Sequence, residues 1–176
     1  MNLIIGAGAV GTVLAGYLGR AREPVTLLVR KEELPTFQGT SNLIVDKIHS
    51  GAPIKIASPT VSTEIDLENY QRIFICVKQP DLPALLSQLP EVLPDNVELF
   101  PCVNGVSIGR SFRDRFPGTA VTPVTIQFNA VLREPMHAEI SRQPTIQLQG
   151  ADSSTFQWFE GCGFIVEKTD EDGAWG

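Results

Sequence analysis

Three cysteines and two histidines are all that 176 residues provide of the soft metal ligands. Cys76, Cys102 and Cys162 are too few and too scattered for a disulfide framework or a thiolate zinc centre. His49 and His137 add little to a metal site, and each reads more naturally as a surface or hydrogen-bonding residue than as a catalytic base. Positive charge is also in short supply, because 14 Lys and Arg against 20 Asp and Glu leave a formal net charge of -6. Such a surface repels phosphate backbones over most of its area, which argues against a nucleic-acid partner, although a local basic pocket can still hold one phosphorylated molecule. No apolar run is long enough to span a bilayer, and the amino end lacks the basic region, apolar stretch and small-residue cleavage site of a secretory signal. The expectation is therefore no membrane partner and a cytoplasmic location. Internal repeats are absent, and the chain has no glycine from Thr119 through Gln149.

Glycine is concentrated instead near the start. An apolar strand at residues 2–5 runs into Gly6-Ala7-Gly8-Ala9-Val10-Gly11, then a helical stretch, then a second apolar strand at residues 25–29. Strand, glycine turn, helix and strand in this order is the setting that gives a G-x-G-x-x-G match its meaning as a dinucleotide fingerprint. Gly6 permits the tight turn, Gly8 leaves room for a pyrophosphate to approach, and Gly11 lets helix and sheet pack closely. The helix amino terminus then offers unpaired N–H groups to phosphate. No Gly-Lys-Ser/Thr follows, which removes a Walker-type loop. Gly16 and Gly19 weaken the intrinsic propensity of that helix, so packing must hold it.

The end of the second strand selects between nicotinamide cofactors. An acidic residue there suits the free ribose hydroxyls of NAD, whereas this strand runs into Arg30-Lys31, which suits the extra 2'-phosphate of NADP. Glu32 and Glu33 follow at once, and a slip of the turn would bring Glu32 to the ribose.

Residues 42–46 and 54–57 form a hairpin-like insertion. The continuous apolar strand at residues 72–77 ends at Lys78, on the rim where ligands gather in this architecture. Asp81 is positioned to cap a following helix whose apolar stripe is Leu82, Leu85, Leu86 and Leu89. A strand from residue 97 leads to Asn104 at the same rim, where an amide can hold a ribose or substrate oxygen. Cys102 beside it is expected to be buried and inert. Residues 107–116 have helical character, 120–128 form a strand that Pro123 forces to an edge or a bulge, Pro135-Met136-His137 separates it from a further strand that includes Ile140, and residues 145–148 and 164–166 are shorter strands, with a helix from Ser153 or Ser154 to Phe159 before the last. Met136 reads as core filler or an exposed side chain. The fold class expected is α/β, a Rossmann-type doubly wound, mostly parallel sheet with helices on both faces.

The ordered set of Gly6 to Gly11, Arg30, Val77-Lys78 and Val103-Asn104-Gly105-Val106 resembles the amino-terminal domain of the ketopantoate reductases, or 2-dehydropantoate 2-reductases. The resemblance implies NADPH as cofactor, a small 2-keto acid as substrate, and hydride transfer to the ketone of 2-dehydropantoate to give pantoate, an entry into pantothenate biosynthesis. It places Arg30 on the 2'-phosphate, Lys78 in the cofactor and substrate cleft, and Asn104 by the nicotinamide, with Asn104 and Lys78 as candidate catalytic residues. It also implies a catalytic lysine soon after a tryptophan near the start of a helical substrate domain. Trp175-Gly176 looks like that approach, so the expected layout is an NADP-binding domain at residues 1–168 and the start of a truncated substrate domain at 169–176, inactive alone. Other two-domain dehydrogenases of polyol phosphates or opines, and a non-catalytic dinucleotide sensor, share the fold. Assembly as a homodimer is left open.

Overall fold

A computed structural model describes residues 1–49, 51–105 and 107–169. Its centre is a six-stranded sheet of β1 (Asn2–Ile5), β2 (Val25–Leu28), β5 (Thr60–Ser62), β6 (Arg72–Ile75), β7 (Glu98–Pro101) and β8 (Ala120–Val121). Every neighbouring pair is parallel, in the order β5-β2-β1-β6-β7-β8. The chain thus winds outward one way from β1 and then the other, and the direction reverses between β1 and β6. In open sheets of this kind the crevice beyond the carboxyl ends at that reversal is where a ligand sits.

Alternation along the strands divides the core. Leu3, Ile5, Ile73, Ile75 and Leu99 point to one face, where α3 (Leu82–Gln88) and α4 (Ile108–Arg115) cover them through Leu82, Leu85, Ile108 and Phe112. Ile4, Phe74 and Phe100 point to the other, against Val13, Leu14 and Leu18 of α1 (Ala9–Arg20). Helices therefore lie on both faces, as the sequence predicts. Phe74 and Phe100 stack with centroids 4.9 Å apart, and Phe159 of α5 (Ser153–Gly161) meets both edge-on. Each fully buried side chain of this size contributes roughly 1.5–3 kcal/mol.

The outer side of α1 is covered as well. A second sheet runs β10-β11-β3-β4, from β3 (Asn42–Lys47), β4 (Ile54–Ala57), β10 (Ala130–Glu134) and β11 (His137–Ile140). The hairpin expected at residues 42–57 is its β3·β4 pair. Residues 11 to 18 of α1 are all buried between the two sheets, which is why the helix has no polar face. Gly16 lies against Leu43 and Val45, so the glycines that weaken the helix alone are what allow the second sheet to approach it. A third sheet, β9 (Val124–Ile126), β12 (Thr145–Gln149) and β13 (Ile165–Thr169), closes the core beside α5.

Several local expectations change. The strand expected at residues 120–128 is two strands in two different sheets, because Pro123 has no N–H for a ladder and the chain turns out of the parallel sheet there. Asp81 ends a short 3-10 turn, Gln79–Asp81, and its side chain makes no cap bond to α3; Pro83 near the start of that helix lacks one of the N–H groups a cap would serve. Met136 is fully buried with φ +61 in the tight connection from β10 to β11. Glycine would relieve that left-handed strain, about 1 kcal/mol or more, but would give up burial worth roughly 1.5–3 kcal/mol, so the larger gain favours methionine. His137 is half-buried and paired with Asp46 at 2.7 Å, holding β11 to β3. The readings made at Trp175 and Gly176 fall outside the described residues.

Candidate functional site: a glycine-floored cleft at the sheet reversal

The carboxyl ends of β1, β2 and β6 open into a cavity of about 970 Å³. Its floor is the turn from β1 to α1. Gly6 adopts φ +102, and a Cβ there would lie 2.9 Å from the carbonyl carbon and oxygen of Cys76, so only glycine fits without moving the end of β6. A Cβ on Gly11 would collide with the Gly6 carbonyl oxygen, which ties the helix start to the turn. Gly8 is different. A Cβ on Gly8 would meet nothing within 4 Å, and its φ of -75 is open to any residue. Neither strain nor packing in the free protein requires glycine there.

The first intrahelical bond of α1 runs from the N–H of Thr12 to the carbonyl of Gly8, at 2.9 Å. The N–H groups of Ala9, Val10 and Gly11 precede it and have no acceptor inside the helix. With the helix dipole behind them they favour an anion.

Leu28 and Val29 bring the wall to Arg30 and Lys31, and β6 continues through Cys76 and Val77 to Lys78. The structure therefore gathers Gly6, Ala7, Gly8, Arg30, Lys31 and Lys78 around one cavity. Ala9, Val10 and Gly11 stand behind its floor as the first residues of α1. Asn104 is exposed on the loop after β7 and is not part of the cavity wall. Sequence reasoning missed other parts of the lining, among them Ile65 beyond β5, Leu85 and Gln88 on α3, and Leu132 and Pro135 from the β10–β11 hairpin. None belongs to a motif; the winding of the chain alone brings them there.

Charge on the rim is balanced. Arg30 Nη2 donates to Glu33 Oε1 at 2.6 Å, and the Arg30 backbone N–H donates to Glu33 Oε2 at 3.0 Å. Glu32 Oε1 stands 3.6 Å from Arg30 Nε. The guanidinium hydrogen bond holds the Glu33 carboxyl below the ordinary carboxylate range and keeps Arg30 charged still more firmly. The thiol of Cys102 is pushed well up by burial and by its contact with Cys76, so it stays protonated and is no nucleophile. Among the described residues no cluster of His, Cys, Asp and Glu suits a metal ion, and no helix is long and apolar enough to cross a membrane.

A glycine floor with room above Gly8, N–H groups without helix acceptors, and walls that carry Arg30, Lys31 and Lys78 beside their acidic neighbours fit a dinucleotide. The chain from residue 2 to residue 153 matches the family model described as ketopantoate reductase PanE/ApbA. The chain belongs to the ketopantoate reductase family. That membership gives it an oxidoreductase origin and a dinucleotide site within the fold. Solved structures agree on the architecture. A ketopantoate reductase of the PanE/ApbA family from Ralstonia eutropha superposes with a TM-score of 0.81 at 20% identity, covering 96% of this chain and 56% of that one. A 2-dehydropantoate 2-reductase from Porphyromonas gingivalis gives 0.80 at 15% identity, covering 98% and 64%. A D-mandelate dehydrogenase solved with NADH and anilino(oxo)acetate gives 0.77 at 16% identity, covering 96% and 57%. The chain thus spans 56–64% of the length of these structures.

Proposed function

We propose that this chain is the cofactor-binding portion of an NADPH-dependent reductase of small 2-keto acids, with 2-dehydropantoate, reduced to pantoate, as the first substrate to test. The observation that carries the reading is Gly8. Gly8 has no side chain where the free protein has space for one, and unlike other glycines with such space it lines the cavity at the head of α1, where a pyrophosphate would use that room. In this reading the α1 amides grip the pyrophosphate, Arg30 and Lys31 meet the 2'-phosphate, and Lys78 and Asn104 stand toward the nicotinamide and substrate. NADPH, when bound, supplies the hydride. A developing alkoxide then needs a proton or a positive charge beside it. Lys78 at the rim is this chain's candidate for that charge, and the family resemblance assigns the proton donor to a lysine of the substrate domain. Residues 1–168 form the nucleotide domain on this reading, and 169–176 lead into the second.

The test is a titration of NADPH and NADH followed by nicotinamide fluorescence, with the chain as given and with Gly8→Ala. Saturable binding is expected for the unmodified chain. Gly8→Ala is expected to weaken both nucleotides by about tenfold or more, as for a methyl overpacked against a bound group, while the melting temperature stays within a degree or so. Loss of the fold in Gly8→Ala, or no binding of either nucleotide to the unmodified chain, would sink the proposal.

A further inference from the structure

The turn that follows β2 is closed by one side chain. The Glu33 N–H donates to the Arg30 carbonyl at 3.0 Å, while the Glu33 carboxylate reaches back to the Arg30 N–H. The carboxylate thus makes the side-chain half of a capping box, with a backbone turn bond in place of the other half, and glutamine would make it as well as glutamate. The charge of Glu33 does something a cap does not need. Its second oxygen takes Arg30 Nη2 at 2.6 Å, and Glu32 stands off Nε, so the Nε and Nη2 edge of the guanidinium already faces carboxylates. That edge is one of the two forks with which arginine grips a phosphate. Asp81, on the same cavity wall, adds its field to that of both glutamates at Arg30.

Resting on the dinucleotide reading above, we propose that Glu33 is a specificity-determining residue that competes with the 2'-phosphate for Arg30, so that the pocket accepts NADH as well as NADPH. With NADH the Arg30–Glu33 pair stays closed and nothing is lost. With NADPH the guanidinium must exchange a carboxylate for a phosphate, and part of the affinity the 2'-phosphate brings is spent on that exchange. Because Arg30 is largely exposed, the exchange is inexpensive and the resulting preference is narrow.

Glu33→Gln isolates the effect, since it keeps the acceptor for the Arg30 N–H and removes the charge. Affinities for NADPH and NADH are measured by fluorescence titration in the unmodified chain, Glu33→Gln, Arg30→Ala and the double variant, with the melting temperature of each as a folding control. The expected result is NADPH binding tightened roughly two- to fivefold by Glu33→Gln, with NADH unchanged within a factor of about two. In the Arg30→Ala background the gain should disappear, because it acts through the guanidinium. A weaker NADPH complex in Glu33→Gln would show that Glu33 holds Arg30 toward the phosphate and overturn the proposal. So would a gain that survives Arg30→Ala, which would assign the effect to Glu33's own charge. Failure of both nucleotides to bind the unmodified chain would overturn the dinucleotide reading and this inference with it; the first two results leave that reading standing.

Discussion

Glu98 opens β7 half-buried, accepts a hydrogen bond from Thr122 Oγ1 at 2.9 Å, and has its carboxyl raised above the ordinary value of 4.5, chiefly by burial. Arg72 pulls the other way and loses. An acid whose folded pKa is raised disfavours folding when ionised. The penalty is full above the raised pKa, shrinks as pH falls through it, and vanishes below about 4.5. Glu98→Gln keeps an acceptor for Thr122 and should therefore raise stability at pH 7 by about 0.5 kcal/mol, a figure held low because the group keeps some solvent. Denaturant unfolding at pH 7 and pH 4 checks this: the advantage should fade at pH 4, and an advantage that grows on acidification would contradict the assignment. Nothing in the sequence around Glu98 announces that burial, since its partner Thr122 lies 24 residues on, just past β8. The glycine fingerprint, Arg30 and Lys78 are the opposite case. Their chemistry is tied to a strand end, and strand ends are legible as the limits of apolar runs; six of the candidate residues line one cavity.

Among the elements, α1 carries the most. Eight consecutive buried residues and a basic Arg20 in its last turn make a helix that is solvated only at its ends. Gly16→Ala sets two effects against each other. Alanine improves helix propensity by about 1 kcal/mol, while its Cβ would sit 2.6 Å from Val45 Cγ2 and 3.1 Å from Leu43 Cδ2. Val45 is buried and β-branched, with little freedom to step aside, and overpacking of this kind costs about 1–3 kcal/mol. A net loss of roughly 1 kcal/mol is expected from thermal or urea unfolding, and a stabilised variant would mean that the second sheet yields. The long apolar strands and α1 were visible in their patterns. Strand β5, Thr60–Ser62, was not, because three residues at a sheet edge, none of them buried, leave no apolar run. Strand β10 escaped for the same reason, with Val131 and Leu132 exposed on an edge.

At the scale of the molecule, α1 is enclosed between two sheets while a third closes the core beside α5, and protection against exchange should map onto that plan. Amides at residues 14–18 of α1 are expected to exchange most slowly by hydrogen–deuterium mass spectrometry, near the limit set by global unfolding, with α3 on the outer face opening sooner. Equal rates in α1 and α3 would refute the enclosed-helix account. The arrangement also has a consequence for synthesis. Asp46 of β3 meets His137 of β11 across a separation of 91 residues, in a parallel pair that no local turn can preset. A ribosome therefore releases the β3–β4 hairpin long before β11, which pairs with the other edge of β3, has been translated. Through that interval the nascent chain bears a sticky, half-completed ribbon, and its yield in a cell depends on what shields that ribbon until residue 140 clears the exit tunnel.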